Sequence, residues 1–363
     1  MTFGAINASA RFGLVIALGV GLAACEQSAP QEPVSETLGF ALPEPISNNA
    51  VAVADGPEGP TLYSFNGLKA GKTWNDTSNA AYACVIATES CKAIAPVPVP
   101  QGRLASAAVN VAGKIYIFGG YTVAANGDEV STPEVFAFDP ATGSYDQQTD
   151  MPTPVDDMVV VPYQNRFIYL ISGWHDEGNV SVVQLFDTQT GAWTEATPFP
   201  GTPVFGHAGG IAGNSMIISD GVASVFAEGK RKFVAAKLSW RGDIDPKNPT
   251  QISWRSVDTH AGSARYRMAA IGDNAGQRII FAGGGDNPYN YDGIGYDGVP
   301  AKPSGGFFAY ELKSDKWIEL GRLAEPSMDH RGLAKAGQEY YILGGMDAEQ
   351  KVTDLIVKFR IDR

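Results

Sequence analysis

Three stretches share one pattern: FDPATGSY (Phe138–Tyr145), FDTQTGAW (Phe186–Trp193) and YELKSDKW (Tyr310–Trp317). Each places an aromatic residue, a short polar turn, and a second aromatic seven positions after the first. An aromatic on each side of a tight turn is the mark of a β-hairpin whose two rings face each other across the strands. The repeat extends well beyond the octet. Around the first copy, RLASAAVNV (Arg103–Val111) is small and apolar, and KIYIFGG (Lys114–Gly120) alternates and ends in a glycine pair. A third strand then leads into FDPATGSY, and a fourth runs from Tyr145 to Met151-Pro152.

Four short strands at a period of about 50 residues define one blade of a β-propeller. Ser172-Gly173, Asp220-Gly221, Gly284-Gly285 and Gly344-Gly345 close the corresponding second strand elsewhere. Six blades are expected, with first strands beginning near Asn48, Arg103, Val155, Phe205, Ala264 and Met328. The sixth runs out after three strands. LGFALPEPI (Leu38–Ile46) is the candidate for its fourth, closing the ring from the N-terminal side and leaving no open sheet. The fold class is therefore all-β, a six-bladed propeller closed by an N-terminal strand. The glycine pair, the Tyr or Phe before the turn and the Trp after it resemble the kelch repeat.

In the first blade Cys84 and Cys91 occupy the two hairpin positions where other blades carry aromatics. Facing each other across two strands, they are expected to form a disulfide in an oxidising compartment.

The composition fits this architecture. Of 363 residues, 42 are Gly and 23 Pro, so turns are frequent, and 44% hydrophobic content supplies a large core. The N-terminus reads as a targeting segment: Arg11 precedes a 13-residue apolar run too short to span a bilayer, and LAAC ends at Cys25. LAAC resembles a bacterial lipobox, which implies lipidation of Cys25; the alternative is an ordinary secretory signal cut nearby. The expected division is signal peptide 1–24, flexible tether 25–37 and propeller 38–363, held in the bacterial periplasm or at the outer surface. The net charge of −12 argues against nucleic acid as a partner.

Candidate site residues cluster where inner strands begin and in the loops after the glycine pairs. Arg103, Asp156-Asp157, His207, Arg265-Tyr266-Arg267 and Asp329-His330-Arg331 are polar positions expected to converge on one channel mouth. The alternative is a water-filled channel lined by structural ion pairs. The loop GGGDNPYNYDGIGYDGVPAKPSGG adds Asp286, Asn287, Tyr289 and Tyr291, and GWHDEGN adds Trp174 and His175. Aromatic rings interleaved with short polar side chains suit a sugar, and the arginines suit a carboxylate. The expected ligand is a carbohydrate, with acidic sugars included, or a glycan-bearing partner. No metal site and no cofactor is expected: the four histidines are scattered, and the loop acids lack calcium-loop spacing.

The stretches IIFAGGGDNPYNYDG, DKWIELGRL and YYILGGMDAEQKVTDLIV resemble the bacterial kelch propellers related to N-acetylneuraminate epimerase, a sialic acid mutarotase. That resemblance implies a catalytic Glu after the turn that closes the fourth blade's second strand, and an Arg shortly beyond. Here Val222 follows Asp220-Gly221, Arg231 falls near the Arg position, and Glu228 would substitute only with a different loop fold. Valine cannot move a proton, so a mutarotase reading must rest on a shifted acid or base such as Asp329 or His330. A third reading is a protein-interaction scaffold of the cell envelope.

Overall fold

The computed structural model describes residues 35–361, together with Met1, Thr2 and Gly4. The apolar run, Cys25 and most of the expected tether lie outside the described residues. Six antiparallel blade sheets, five of four strands and one of five, make up most of the described chain, with three two-stranded hairpins beside them and Trp74–Asp76 as a 3-10 turn. The innermost strands are Ala50–Gly56, Ala107–Val111, Val159–Tyr163, Ala208–Ala212, Ala269–Asp273 and Ala334–Ala336. Each begins a few residues after the position expected from sequence, because a lead-in segment with its own geometry precedes it.

Ring closure comes from Ser35–Thr37, which pairs antiparallel with Val357–Phe359 as the outer strand of blade six. This corrects the expectation for Leu38–Ile46. Pro43 and Pro45 remove two N–H groups from that stretch, so it cannot run as a ladder. It descends beside blade six through isolated bonds, with Leu38, Leu42 and Ile46 donating to Ile356, Asp354 and Thr353 carbonyls.

The paired aromatics have a common job. Rings meet within each hairpin, at 4.9 Å for Phe138–Tyr145, 4.8 Å for Phe186–Trp193 and 5.1 Å for Tyr310–Trp317. The second aromatic also reaches the preceding blade. Tyr145 Oη donates to Ala95 O, Trp193 Nε1 to Thr149 O and Trp317 Nε1 to Asp258 O, each just past the neighbour's outer strand. Ring stacking thus holds the hairpin while one polar handle staples adjacent blades. In blade one Cys84 and Cys91 are direct cross-strand partners joined by a disulfide.

All six second strands carry, at or near their ends, two consecutive residues of positive φ, the second always glycine: Asn66-Gly67, Gly119-Gly120, Ser172-Gly173, Asp220-Gly221, Gly283-Gly284 and Gly344-Gly345. Blade five therefore uses Gly283-Gly284, one residue earlier than expected, and blade one uses a pair that sequence reading passed over. A Cβ on the second glycine would stand 2.5 Å from Leu104 O at Gly120 and 2.7 Å from Asp156 O at Gly173. Glycine is needed there because the lead-in segment runs directly against it.

Replacing Trp317 with Phe keeps the ring and deletes the staple. The expected loss is about 1 kcal/mol in chemical denaturation, with no change in the cooperativity of unfolding.

Candidate functional site

Each lead-in segment places one residue in the left-handed region: Asn48, Ala105, Asp157, Gly206, Arg267 and Asp329, with φ between 51° and 69°. These residues are bonded blade to blade around the axis. Asn48 N donates to Asp329 O, Ala105 N to Asn48 Oδ1 and Asp157 N to Ala105 O. Gly206 N donates to Asp157 O, Arg267 N to Gly206 O, and His330 N closes the circuit onto Arg267 O. The ring defines an upper face, which carries the lead-in segments and the loops between second and third strands.

The expected convergence of polar side chains occurs, and its charged members pair with one another. Arg267 makes a two-pronged pair with Asp157, Nε to Oδ1 at 3.0 Å and Nη2 to Oδ2 at 2.6 Å, while Nη1 donates to Asp329 Oδ1 at 3.0 Å. Arg331 crosses from blade six to blade three, donating to Asp157 Oδ1 at 2.6 Å and Met158 O at 2.9 Å. All four side chains are at most 2% exposed. Burial alone would push the Asp157 carboxyl up, but Arg267 and Arg331 outweigh it and hold the group below its usual range. Asp329 is pushed up by burial, which Arg267 only partly offsets. Beside them Asp156 is raised well above the carboxylate range by burial and by Asp157, and accepts a bond from Ser131 Oγ at 2.7 Å.

Above this quartet lies an apolar plug that includes Leu104, Tyr121, Phe205, Val222, Tyr266, Tyr289 and Met328. The channel mouth on the upper face is therefore closed by packed side chains instead of presenting an open pocket. Below the quartet, a cavity of about 380 Å³ runs between the inner strands to the turns at Asn110, Asn165 and Asn274.

The remaining candidates are placed as follows. Arg103 is buried against Glu134 at 3.0 Å. His207 Nε2 donates to Ile171 O, 2.9 Å away, and His330 packs between Gly283 of blade five and Gly345 of its own blade. Burial lowers His207 to about 3 and His330 to about 4, so both rings are neutral near pH 7. Arg265 is half-buried and gives its backbone N–H to Asp220. Tyr289 is fully buried, with its hydroxyl on Asp329 Oδ1 at 3.2 Å. Asp286 and Asn287 brace their own loop, on Lys302 N and on Asp297 and Val299 O. Tyr291 and Trp174 remain half-buried at the surface. Val222 sits in the plug with its backbone bridged to Phe205. Glu228 is at an exposed hairpin tip against Lys232, and Arg231 lies over the Trp174 ring at 5.5 Å. The Glu228 tip stands apart from the quartet and does not take the place left by Val222.

Sequence reading missed the distribution of exposed apolar side chains. Within the propeller these are Trp74, Val130, Val225, Phe226, Val234, Ile294, Tyr296 and Val299, and every one lies in a second-to-third-strand connection on the upper face. The half-buried Trp174 and Phe233 join Tyr296 in a contiguous aromatic band, at 5.6 Å and 4.3 Å between rings. The signal was present in VASVFAEGKRKFVA (Val222–Ala235), whose alternation marks a hairpin.

The fold and the comparisons agree on the class of protein, a six-bladed β-propeller with a kelch motif, the motif matching residues 102–152. Kelch-like protein 15 of Homo sapiens is 26% identical over 252 residues, 68% of this chain and 39% of that protein. Beta-scruin of Limulus polyphemus is 26% identical over 256 residues, 68% of this chain and 27% of that protein. The chain thus spans well under half the length of these curated relatives. The solved structure of YjhT matches with a TM-score of 0.69 at 17% identity, covering 89% of this chain and 99% of that one, a likeness of fold.

Two outcomes are expected from the buried charges. Arg267→Met leaves Asp157 and Asp329 without their shared partner and is expected to cost about 3–5 kcal/mol in denaturant titration. For the histidines, the unfolded chain takes up protons near pH 6.5 while the folded rings resist until about 3 and 4. Their contribution to stability is complete above pH 6.5 and is lost as pH falls toward 4. His207→Gln is expected to flatten the fall in melting temperature over that window.

Proposed function

We propose that this propeller is an interaction module that binds a protein partner through its upper face. The observation that carries this reading is the gathering of all the exposed large apolar side chains of the propeller on that one face. Large exposed apolar patches on soluble domains mark docking surfaces, and aromatic anchors supply most of their binding energy. A sugar site at the channel mouth has less support. Arg267 is committed to Asp157 and Asp329, Arg331 to Asp157 and Arg103 to Glu134, and Asp286 braces its own loop's backbone. A mutarotase reading draws on resemblance, but Val222 offers no acid or base, and Asp329 and His330 are buried beneath the plug.

The lipid anchor at Cys25 belongs to the same proposal. Nine residues (26–34) separate Cys25 from the closing strand, a reach of about 30 Å when extended. Such a tether would keep the propeller at an envelope membrane, where a partner anchored in the same bilayer is held at high effective concentration.

A photo-crosslinking side chain at Phe226, on the upper face, and at Ala275, in a lower-face turn, tests the reading in cells. The expected result is one defined protein adduct from position 226 and none from 275. Equal labelling from both positions, or no adduct together with a rise in melting temperature on adding N-acetylneuraminate, would return the upper face to a sugar site.

A further inference from the structure

The loop hairpins of blades two, three and four form a row in which each covers the next. Ser131, at the end of the blade-two hairpin, takes Asp176 Oδ1 on its N–H, and its hydroxyl accepts from Asp176 N. Asn179 of the blade-three hairpin donates to Val222 O of the blade-four hairpin. The row stops at the second strand of that last hairpin, Lys230–Ala235, which pairs with Val222–Ala227. Apart from that ladder, no backbone bond reaches Lys230–Ala235 among the described residues; Ala236 N to Gly221 O closes the hairpin's base.

The register tells which groups are free. Glu228 and Gly229 both have positive φ, 55° and 72°, so a two-residue turn of the mirror-image type joins the strands. Ala227 and Lys230 are then a hydrogen-bonded pair, and so in alternation are Val225 with Lys232 and Ala223 with Val234. Arg231, Phe233 and Ala235 are left directing N–H and C=O away from the hairpin. Lys230, Arg231, Lys232, Val234 and Ala235 are all exposed. Lys230, Lys232 and Val234 share one side of the ribbon. Phe233 is on the other, against Tyr296 and Trp174.

We infer that Lys230–Ala235 is a strand-addition site that receives an extended, acidic segment of the partner, with carboxylates opposite Lys230 and Lys232 and an apolar residue opposite Val234. This rests on the reading of the upper face as an interaction face and names how that face is used. The charge argument is local: three cations stand against the single Glu228 in this hairpin, on a chain whose net charge is −12. Main-chain bonds to the free edge would supply affinity, and the alternating side chains would supply selectivity.

The intact chain is titrated into two fluorescein-labelled ten-residue peptides, one with Glu, Glu and Val at three successive alternate positions and Thr elsewhere, one with Lys in place of both Glu, and anisotropy is read. The acidic peptide is expected to bind and the basic one not. Ala235→Pro removes one outward donor without touching the internal ladder, and is expected to weaken binding at least about tenfold at an unchanged melting temperature. The double substitution Lys230→Glu with Lys232→Glu is expected to exchange the preference toward the basic peptide. Acidic-peptide binding unaffected by Ala235→Pro would place it on another edge and overturn the inference, as would no binding at all. Self-association abolished by Ala235→Pro would assign the edge to a second copy. Retention on anionic vesicles lost in Phe226→Ser but kept in Ala235→Pro would assign the hairpin to a membrane. Either result overturns it. If the crosslink from position 226 survives Ala235→Pro, the interaction face stands and only strand addition fails; if no adduct forms from the wild-type face, both readings fail.

Discussion

Six inner strands must pass one axis without leaving their backbone groups unpaired, and a single device meets that constraint in every blade. A left-handed residue turns each lead-in segment into its inner strand, and a bond from its N–H or its neighbour's ties it to the blade before. Left-handed backbone costs a non-glycine residue energy, so it persists only where surroundings over-determine it. Here they do: the lead-in segment is trapped between that ring and the glycine that ends the second strand, at distances where a Cβ has no room.

This geometry explains why the polar residues at the centre look like a catalytic constellation and behave as a keystone. Asp157, Arg267 and Asp329 occupy three of the six ring positions, and Arg331 lies two beyond the third. Brought to the axis by the backbone, side chains of opposite charge meet almost fully buried. Two acids and two guanidinium groups nearly balance, and the two-pronged Arg267–Asp157 pair recovers much of the desolvation cost through geometry. Where a blade has Ala105 or Gly206 at that position, the axis gains room for these longer side chains.

An aromatic plug closes over the quartet. The loops on that face are where large apolar side chains remain uncovered among the described residues of the propeller. Rigid blades beneath and adaptable loops above are a common division of labour, since loops tolerate change that strands do not. The blade-four hairpin extends this furthest, with Phe226 79% exposed at its end.

The blade count, the aromatic hairpins and the disulfide between Cys84 and Cys91 could all be read from the sequence. Each depends on residues near one another in the chain, where period-2 alternation and turn chemistry act directly. The set of polar residues that meet at the axis was legible for the same reason, as each opens an inner strand. What they do there was not. Whether Arg267 faces a ligand or Asp157 depends on contacts between residues 110 positions apart, and on how far Tyr289 folds over them. Sequence likewise could not show that Val130, Phe226 and Val299 share a face, because that follows from the pseudo-symmetry of the closed ring. Local patterns determined the strands and the turns; the balance of buried charge and the uncovered surface were decided only when six blades closed on one axis.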